Sequence, residues 1–79
     1  MRKAVDKNTT GYRIRMARLG LNLTQKQLAD AVGVAQTYIT AIERGRKNAS
    51  KELLERIATA THTTQAWLLG TSGNQTVYP

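Results

Sequence analysis

The sequence predicts a compact all-α domain built from five short helices. Its apolar residues recur at spacings of three and four, which is the helical period, and strong β-strand patterns are missing. Phenylalanine is absent, and the single proline is the last residue, Pro79. A chain of 79 residues is long enough for one such domain but not for two, and a domain of this size has a limited core.

The first helix is predicted over about residues 10–20. Asn22 is expected to mark its exit, because asparagine tolerates the left-handed backbone that often follows a helix. The preceding residues 1–9 are polar, basic and aperiodic, which predicts a flexible arm. The folded domain is therefore expected over residues 10–70, with a tail or linker at 71–79. The residues expected on the inner side of the first helix are Ile14, Ala17 and Leu21.

The second and third helices are predicted at about residues 25–32 and 35–43, with a short turn between them. Thr24 is a good N-cap for the second helix, since its side chain can accept from the free amides of the next turn. Gly33 supplies the positive φ of a sharp turn, and helices joined in this way cross at about 90–120°. The spacing alone also fits an ordinary helical hairpin in a bundle. The residues expected to face inward are Leu28, Ala29, Val32, Ile39 and Ile42.

Two further helices complete the predicted domain. Ser50 is expected to cap a helix over about residues 51–60, and Thr64 is expected to cap a last short helix, QAWLLG. Trp67 stands at helical spacing with Leu68, so we expect it to fill the core rather than to stack on a base. The apolar stripe of the fourth helix is formed by Leu53, Leu54, Ile57 and Ala58.

The third helix has an unusual outward face. A helical wheel of about 100° per residue gives it one apolar arc and one polar arc. The apolar arc holds Ala35, Tyr38, Ile39 and Ile42. The polar arc holds Gln36, Thr37, Thr40, Ala41 and Arg44. This polar arc has no lysine, and its one acid, Glu43, lies at its margin, whereas a solvated face usually carries Glu and Lys in pairs. The polar arc is therefore expected to make a contact.

Charge and composition narrow the class of partner. Twelve Lys and Arg against five Asp and Glu give a net charge of +7, and the pI is near 10.4. A pI above about 9 is typical of nucleic-acid-binding domains, although a solvated basic surface has the same composition. The absence of cysteine excludes disulfides and thiolate metal sites, and is consistent with a reducing cytoplasm. The apolar runs are far shorter than the roughly 18 residues of a membrane span.

The polar arc carries the residue types that recognise base edges in the DNA major groove. Glutamine can pair with adenine through two hydrogen bonds, threonine can donate or accept, and an alanine or threonine methyl can meet the thymine methyl. The candidate base-reading residues are Gln36, Thr37, Thr40 and Ala41. The candidate phosphate contacts are Lys26, Tyr38, Arg44, Arg46, Lys47, Asn48, Ser50 and Lys51. Tyr38 is equally suited to packing in the core.

A helical module that binds an acidic protein is the alternative interpretation. Such a partner would favour Lys and Arg across the centre of the contact face, where this sequence has Gln and Thr. An enzyme is not expected, because no nucleophile, base and orienting group cluster along the chain. His62 has no metal-ligating neighbours, so no metal, cofactor or small-molecule substrate is implied.

Over about residues 12–70 the chain resembles the lambda-type (XRE-like) helix-turn-helix domains of phage repressors and related prokaryotic regulators. The matching stretches are YRIRMARLGLNLTQKQLADAVGVAQTYITAIERGR, SKELLERIATA and TQAWLLG. The resemblance implies a lambda-repressor-like fold and a sequence-specific transcriptional regulator that reads double-stranded DNA with its third helix. It further implies a phage or prophage repressor that binds palindromic operator half-sites as a homodimer, in the bacterial cytoplasm or nucleoid.

The resemblance also assigns individual residues. It makes Gln25 and Gln36 a pair that can hydrogen-bond one another, one anchored to a phosphate and the other reading a base, so Gln25 joins the candidate base-reading residues. It matches Arg18 and Glu43 to an ion pair that ties the first helix to the third, so Arg18 is expected to be structural.

The sequence departs from the family pattern at two helix ends. Ala35 replaces the Ser or Thr that usually caps the recognition helix, and His62 replaces a glycine that commonly ends the fourth helix. His62 is therefore expected to adopt a strained or alternative cap. The candidates for contact between two copies are Leu68, Leu69, Val77 and Tyr78.

Overall fold

The computed structural model describes residues 9–70, which form five α-helices and no strand. The helices are α1 (Thr10–Gly20), α2 (Gln25–Val32), α3 (Gln36–Glu43), α4 (Lys51–Thr61) and α5 (Gln65–Leu68). The predicted all-α class and the number of helices are confirmed. The predicted arm, apart from Thr9, and the predicted tail lie outside the described residues. In the part of the chain that is described, no helix is long and apolar enough to cross a membrane.

Four of the five helices begin at a hydroxyl cap. At α2 the cap is reciprocal: the Gln27 amide donates to Thr24 Oγ1 over 2.9 Å, and the Thr24 amide donates to Gln27 Oε1 over 2.8 Å. Such caps satisfy amides that have no partner inside the helix, and so they determine where the chain begins to coil. The other capping side chains are Thr9, Ser50 and Thr64.

Helix α3 is the exception, because none of the described side chains caps it. Ala35 occupies the N-cap position with extended φ and ψ of −70° and 146°, and it is exposed. The family resemblance placed Ala35 at this cap position, and the structure agrees. The inward position that the helical wheel gave Ala35 is wrong. An extended N-cap residue lies outside the helical period, so the wheel does not place its side chain.

Replacing Ala35 with serine is expected to stabilise the protein by about 1 kcal/mol, because the backbone already has the geometry of a hydroxyl cap. Urea denaturation followed by circular dichroism would measure the change. Ala35→Val is the control, since valine offers no acceptor to the α3 amides. Equal stability of the serine variant and the parent would contradict the expectation.

One core lies between the helices, and it contains the apolar residues that the helical period predicted. Its buried members are Ile14, Ala17, Leu28, Ala29, Val32, Ile39, Ile42, Leu53, Leu54, Ile57, Ala58, Trp67 and Leu68. Leu21 was predicted to face inward but is 40% exposed, because it is the C-cap of α1, where the chain leaves the helical path. Leu68 is fully buried, so it is unavailable for the contact between copies that was predicted for it.

Left-handed residues lie at or just after the ends of α1, α2 and α4, at the positions predicted for them. Asn22 has φ of 59°, Gly33 has φ of 79°, and His62 has φ of 58°. Gly33 ends α2, and the amides of Gly33 and Val34 both donate to the Ala29 carbonyl, over 2.8 and 3.0 Å. This closed turn leads the chain from α2 into α3. His62 is the alternative helix cap that its position predicted.

Gly11 lies where α1 meets α3 at backbone distance. A Cβ atom at this position would meet the Ile42 carbonyl oxygen and would lie 2.8 Å from the Glu43 carbonyl oxygen. The residue is buried and its φ is not positive, so the requirement is for space rather than for a special conformation. The last turn of α3 is therefore held directly against the backbone of α1.

Candidate nucleic-acid interface

The polar arc of α3 lies at the surface of the fold. Ile39 is fully buried and Ile42 is 2% exposed, which fixes the rotation of the helix against the core. Gln36 and Thr37 are exposed as a result, while Thr40 and Ala41 are half-buried at the edge of the arc. Among residues 9–70 the exposed Gln36 side chain has no hydrogen-bond partner, so its amide is available to a ligand.

The Arg18 and Glu43 side chains form a two-pronged ion pair. Arg18 Nε donates to Glu43 Oε2 over 2.8 Å, and Arg18 Nη2 donates to Glu43 Oε1 over 3.1 Å. The side chains are only 9% and 4% exposed, and Arg18 Nη1 also donates to the Leu23 carbonyl over 2.9 Å. The guanidinium thus joins α1, the loop before α2 and the end of α3, which is the structural position expected for Arg18.

Gln25 extends this ion pair to the polar arc. Its Nε2 donates to Glu43 Oε1 over 3.0 Å, and its Oε1 accepts from the Thr40 hydroxyl over 2.8 Å. In this structure Gln25 bonds to these two α3 residues rather than to Gln36, the partner that the family resemblance suggested. One amide proton of Gln25 remains for a further acceptor. The sequence did contain a signal for the network, because Thr40 and Glu43 are three residues apart and share one side of α3.

Exposed cations follow α3 along the chain and stand at the starts of α2 and α4. Arg44, Arg46 and Lys47 follow α3 and are exposed, and Lys51 is exposed at the start of α4. Lys26 is exposed as well, and its Nζ lies 3.3 Å from Asp30 Oδ2 on the next turn of α2. This exposed pair contributes little to stability, so it competes only weakly with an anionic ligand.

Two of the predicted phosphate contacts take part in the structure of the loop between α3 and α4. The hydroxyl of half-buried Tyr38 donates to the Asn48 carbonyl over 3.2 Å, which leaves the Asn48 side chain free of this bond. Ser50 Oγ accepts from the Leu53 amide over 3.1 Å as the cap of α4, and its hydroxyl proton can still be donated. The loop and its cations are therefore tied to α3 on one side and to α4 on the other.

Trp67 packs in the core, as its helical spacing with Leu68 predicted. Trp67 is 7% exposed, and the Arg13 guanidinium carbon lies 5.0 Å from the centre of its ring, while Arg13 Nη1 donates to the Trp67 carbonyl over 3.2 Å. These contacts hold α5 against α1, as expected of a core residue. Across residues 9–70, no group of three or more His, Asp or Glu side chains could hold a metal ion.

The sequence matches one protein family and is similar to several transcriptional regulators. The helix-turn-helix family profile (HTH_3) matches residues 14–68, which is more than half of the chain. The transcriptional regulator ClgR of Mycobacterium tuberculosis is 39% identical over 57 residues, covering 72% of this chain and 51% of that protein. The immunity repressor protein of Bacillus phage phi105 is 42% identical over 52 residues, covering 66% of this chain and 36% of that protein. The chain spans about half the length of the first relative and about a third of the second.

Structural comparison gives the same family. The P22 c2 repressor, solved in complex with a synthetic operator, superimposes with a TM-score of 0.76 at 30% identity, covering 81% of this chain and 97% of that one. The superposition confirms the predicted lambda-repressor-like fold. The chain therefore belongs to the helix-turn-helix family of DNA-binding transcriptional regulators.

Proposed function

We propose that this chain is a sequence-specific transcriptional regulator that binds double-stranded DNA with α3 in the major groove. The observation that carries the proposal is the exposed polar arc of α3, with Gln36 and Thr37 presented outward while Ile39 and Ile42 anchor the opposite side. The B-DNA major groove, about 12 Å wide, admits one α-helix and displays a distinct pattern of donors and acceptors for each base pair.

The groups around the arc fit the sugar-phosphate backbone. Exposed cations at Lys26, Arg44, Arg46 and Lys47 border the arc, and the N-terminus of α4 at Lys51 adds free amides and the positive end of a helix dipole. Such contacts hold a protein in register on the duplex without reading its sequence. The division between an uncharged centre and a cationic border supports DNA over an acidic protein as the partner.

We further propose that the protein is a phage or prophage repressor, active in the bacterial cytoplasm or nucleoid, that binds palindromic operators as a homodimer. The repressor relatives support this role, and members of this structural class bind half-sites about 34 Å apart. Leu69, which is 51% exposed beside the buried end of α5, is the remaining described candidate for contact between copies. Val77 and Tyr78 lie outside the described residues. The proposal requires no cofactor, metal or small-molecule substrate.

Selection of bound duplexes from a random pool would test the proposed function. A two-fold symmetric sequence with half-sites one helical turn apart is expected to be enriched. Sedimentation with and without the selected duplex would then give the number of chains on each site. If the pool stayed random after repeated rounds, and the protein bound its duplexes no more tightly than it binds heparin, sequence-specific recognition would be ruled out.

Replacing Gln36 with alanine is expected to reduce discrimination at one base pair by about 1–3 kcal/mol, because a paired side-chain amide is lost. The matched control is Arg46→Ala, which should weaken selected and random duplexes alike and lower the slope of log K against log salt by about 0.9 for the lost phosphate contact. Fluorescence anisotropy titrations on both duplexes would measure these effects. Equal loss on selected and random DNA for Gln36→Ala would contradict a base-reading role.

A further inference from the structure

A series of hydrogen bonds leads from Arg18 through Glu43 and Gln25 to Thr40, and the chemistry of the groups fixes the donor and the acceptor of each bond. The Arg18 guanidinium carries only donors, and the Glu43 carboxylate that pairs with it carries only acceptors. The group of Gln25 that lies 3.0 Å from Glu43 Oε1 must therefore be its Nε2 donor. The ion pair thus orients the Gln25 amide, and the amide oxygen is directed to the other side.

The orientation of Gln25 determines what the Thr40 hydroxyl can do. The Gln25 amide oxygen can only accept, so the Thr40 hydroxyl, 2.8 Å away, donates its single proton to it. The oxygen of Thr40 keeps lone pairs that are not used by Gln25. Because Thr40 is half-buried at the edge of the polar arc, these lone pairs are what the hydroxyl presents to a neighbouring ligand.

We propose that Thr40 is a specificity-determining residue that accepts a hydrogen bond from the exocyclic amino group of adenine or cytosine, and that Gln25 is the positioning residue that makes it an acceptor. The inference rests on the proposed DNA-binding function and deepens it. In the major groove adenine and cytosine offer amino donors, whereas guanine and thymine offer only acceptors at the corresponding edge. Donation by Thr40 to guanine or thymine would first require breaking its bond to Gln25, so those bases are disfavoured.

The test compares the parent with Thr40→Val, which keeps the shape and the β-branched helical preference of threonine but removes the hydroxyl. Selection from a random pool is expected to show one position where the parent prefers adenine or cytosine and Thr40→Val does not. At that position the amino group is then deleted, with purine in place of adenine or pyrimidin-2-one in place of cytosine. The parent should lose about two- to tenfold in affinity, and Thr40→Val should be affected much less.

Gln25→Leu tests the positioning role. This variant leaves the Arg18–Glu43 pair in place but frees the Thr40 hydroxyl to donate, so guanine or thymine should become acceptable at the same position. A purely structural role of Gln25 would lower affinity for all duplexes and leave this preference unchanged. Circular dichroism melting of each variant would show that the domain remains folded.

The outcomes separate this inference from the function on which it rests. If the parent selects a defined site but Thr40→Val selects an identical one, or the preferred base is guanine or thymine, the inference is overturned and the DNA-binding function stands. If Gln25→Leu does not alter the preference, the positioning role of Gln25 is overturned. If the parent selects no site at all, the proposed function fails and the inference fails with it.

Discussion

Replacing Gly11 with alanine is expected to destabilise the protein by about 3 kcal/mol, because the new methyl group has no space between α1 and α3. The added Cβ would meet the Ile42 carbonyl oxygen and lie 2.8 Å from that of Glu43. These are backbone atoms in the last turn of α3, so no side-chain rotation can relieve the overlap. A loss of this size corresponds to a fall in melting temperature of more than about 12 °C for a domain of this length.

Gly20 provides the matched control at the other end of α1. Within residues 9–70, apart from the adjoining residues and the backbone of α1 itself, no heavy atom lies within 4 Å of a Cβ placed there, and the φ of Gly20 is not positive. Gly20→Ala is therefore expected to be neutral or to stabilise by up to about 1 kcal/mol, through the higher helix propensity of alanine. Thermal unfolding of both variants would measure the difference. A Gly11→Ala variant as stable as Gly20→Ala would contradict the close approach of α1 and α3.

Local signals in the sequence were sufficient to predict most of the fold. Hydroxyl residues stand at Thr24, Ser50 and Thr64, each just before an apolar period of three and four, and each caps a helix in the structure. Gly33 and Asn22 lie where the backbone turns left-handed. These features depend on a few neighbouring residues, so they can be read without knowledge of the tertiary packing.

The features that the sequence did not predict depend on contacts between distant segments. Gly11 is required because the end of α3 lies against it, and nothing in its local sequence indicates that approach.

 
Leu21 and Ala35 were wrongly predicted to face inward for a different reason. They stand at helix ends, where the periodic pattern of a helix no longer determines which way a side chain points.

The candidate interface likewise has features that the local sequence predicts and features that depend on distant contacts. The outward placement of Gln36 and Thr37 follows from the apolar period of α3, and the structure has both residues exposed. The bonds of Gln25 could not be derived in this way, because they join the first residue of α2 to the far end of α3. Whether Gln25 donates or accepts at each partner depends in turn on Glu43 and Arg18, so a network of three elements determines what one threonine can offer to a ligand.

Replacing Glu43 with alanine is expected to destabilise the protein by about 3–5 kcal/mol, because it leaves the Arg18 guanidinium buried without its counter-charge. The Arg18 side chain is 9% exposed, and within residues 9–70 its remaining hydrogen bond goes to the Leu23 carbonyl. Gln25 would also lose the acceptor that orients its amide. Urea denaturation would measure the loss in the free energy of unfolding.

The matched control for Glu43→Ala is Asp30→Ala, which removes the partner of an exposed ion pair with Lys26 whose side chains are 70% and 67% exposed. A pair of this kind on a helix surface contributes only about 0.3–0.5 kcal/mol, so little change is expected. The double variant Arg18→Met/Glu43→Leu should recover much of the stability, because apolar side chains of similar volume carry no desolvation penalty. If Glu43→Ala were no more destabilising than Asp30→Ala, the ion pair would not hold α3 against α1, and the polar arc would owe its position to the packing of Ile39, Ile42 and Gly11.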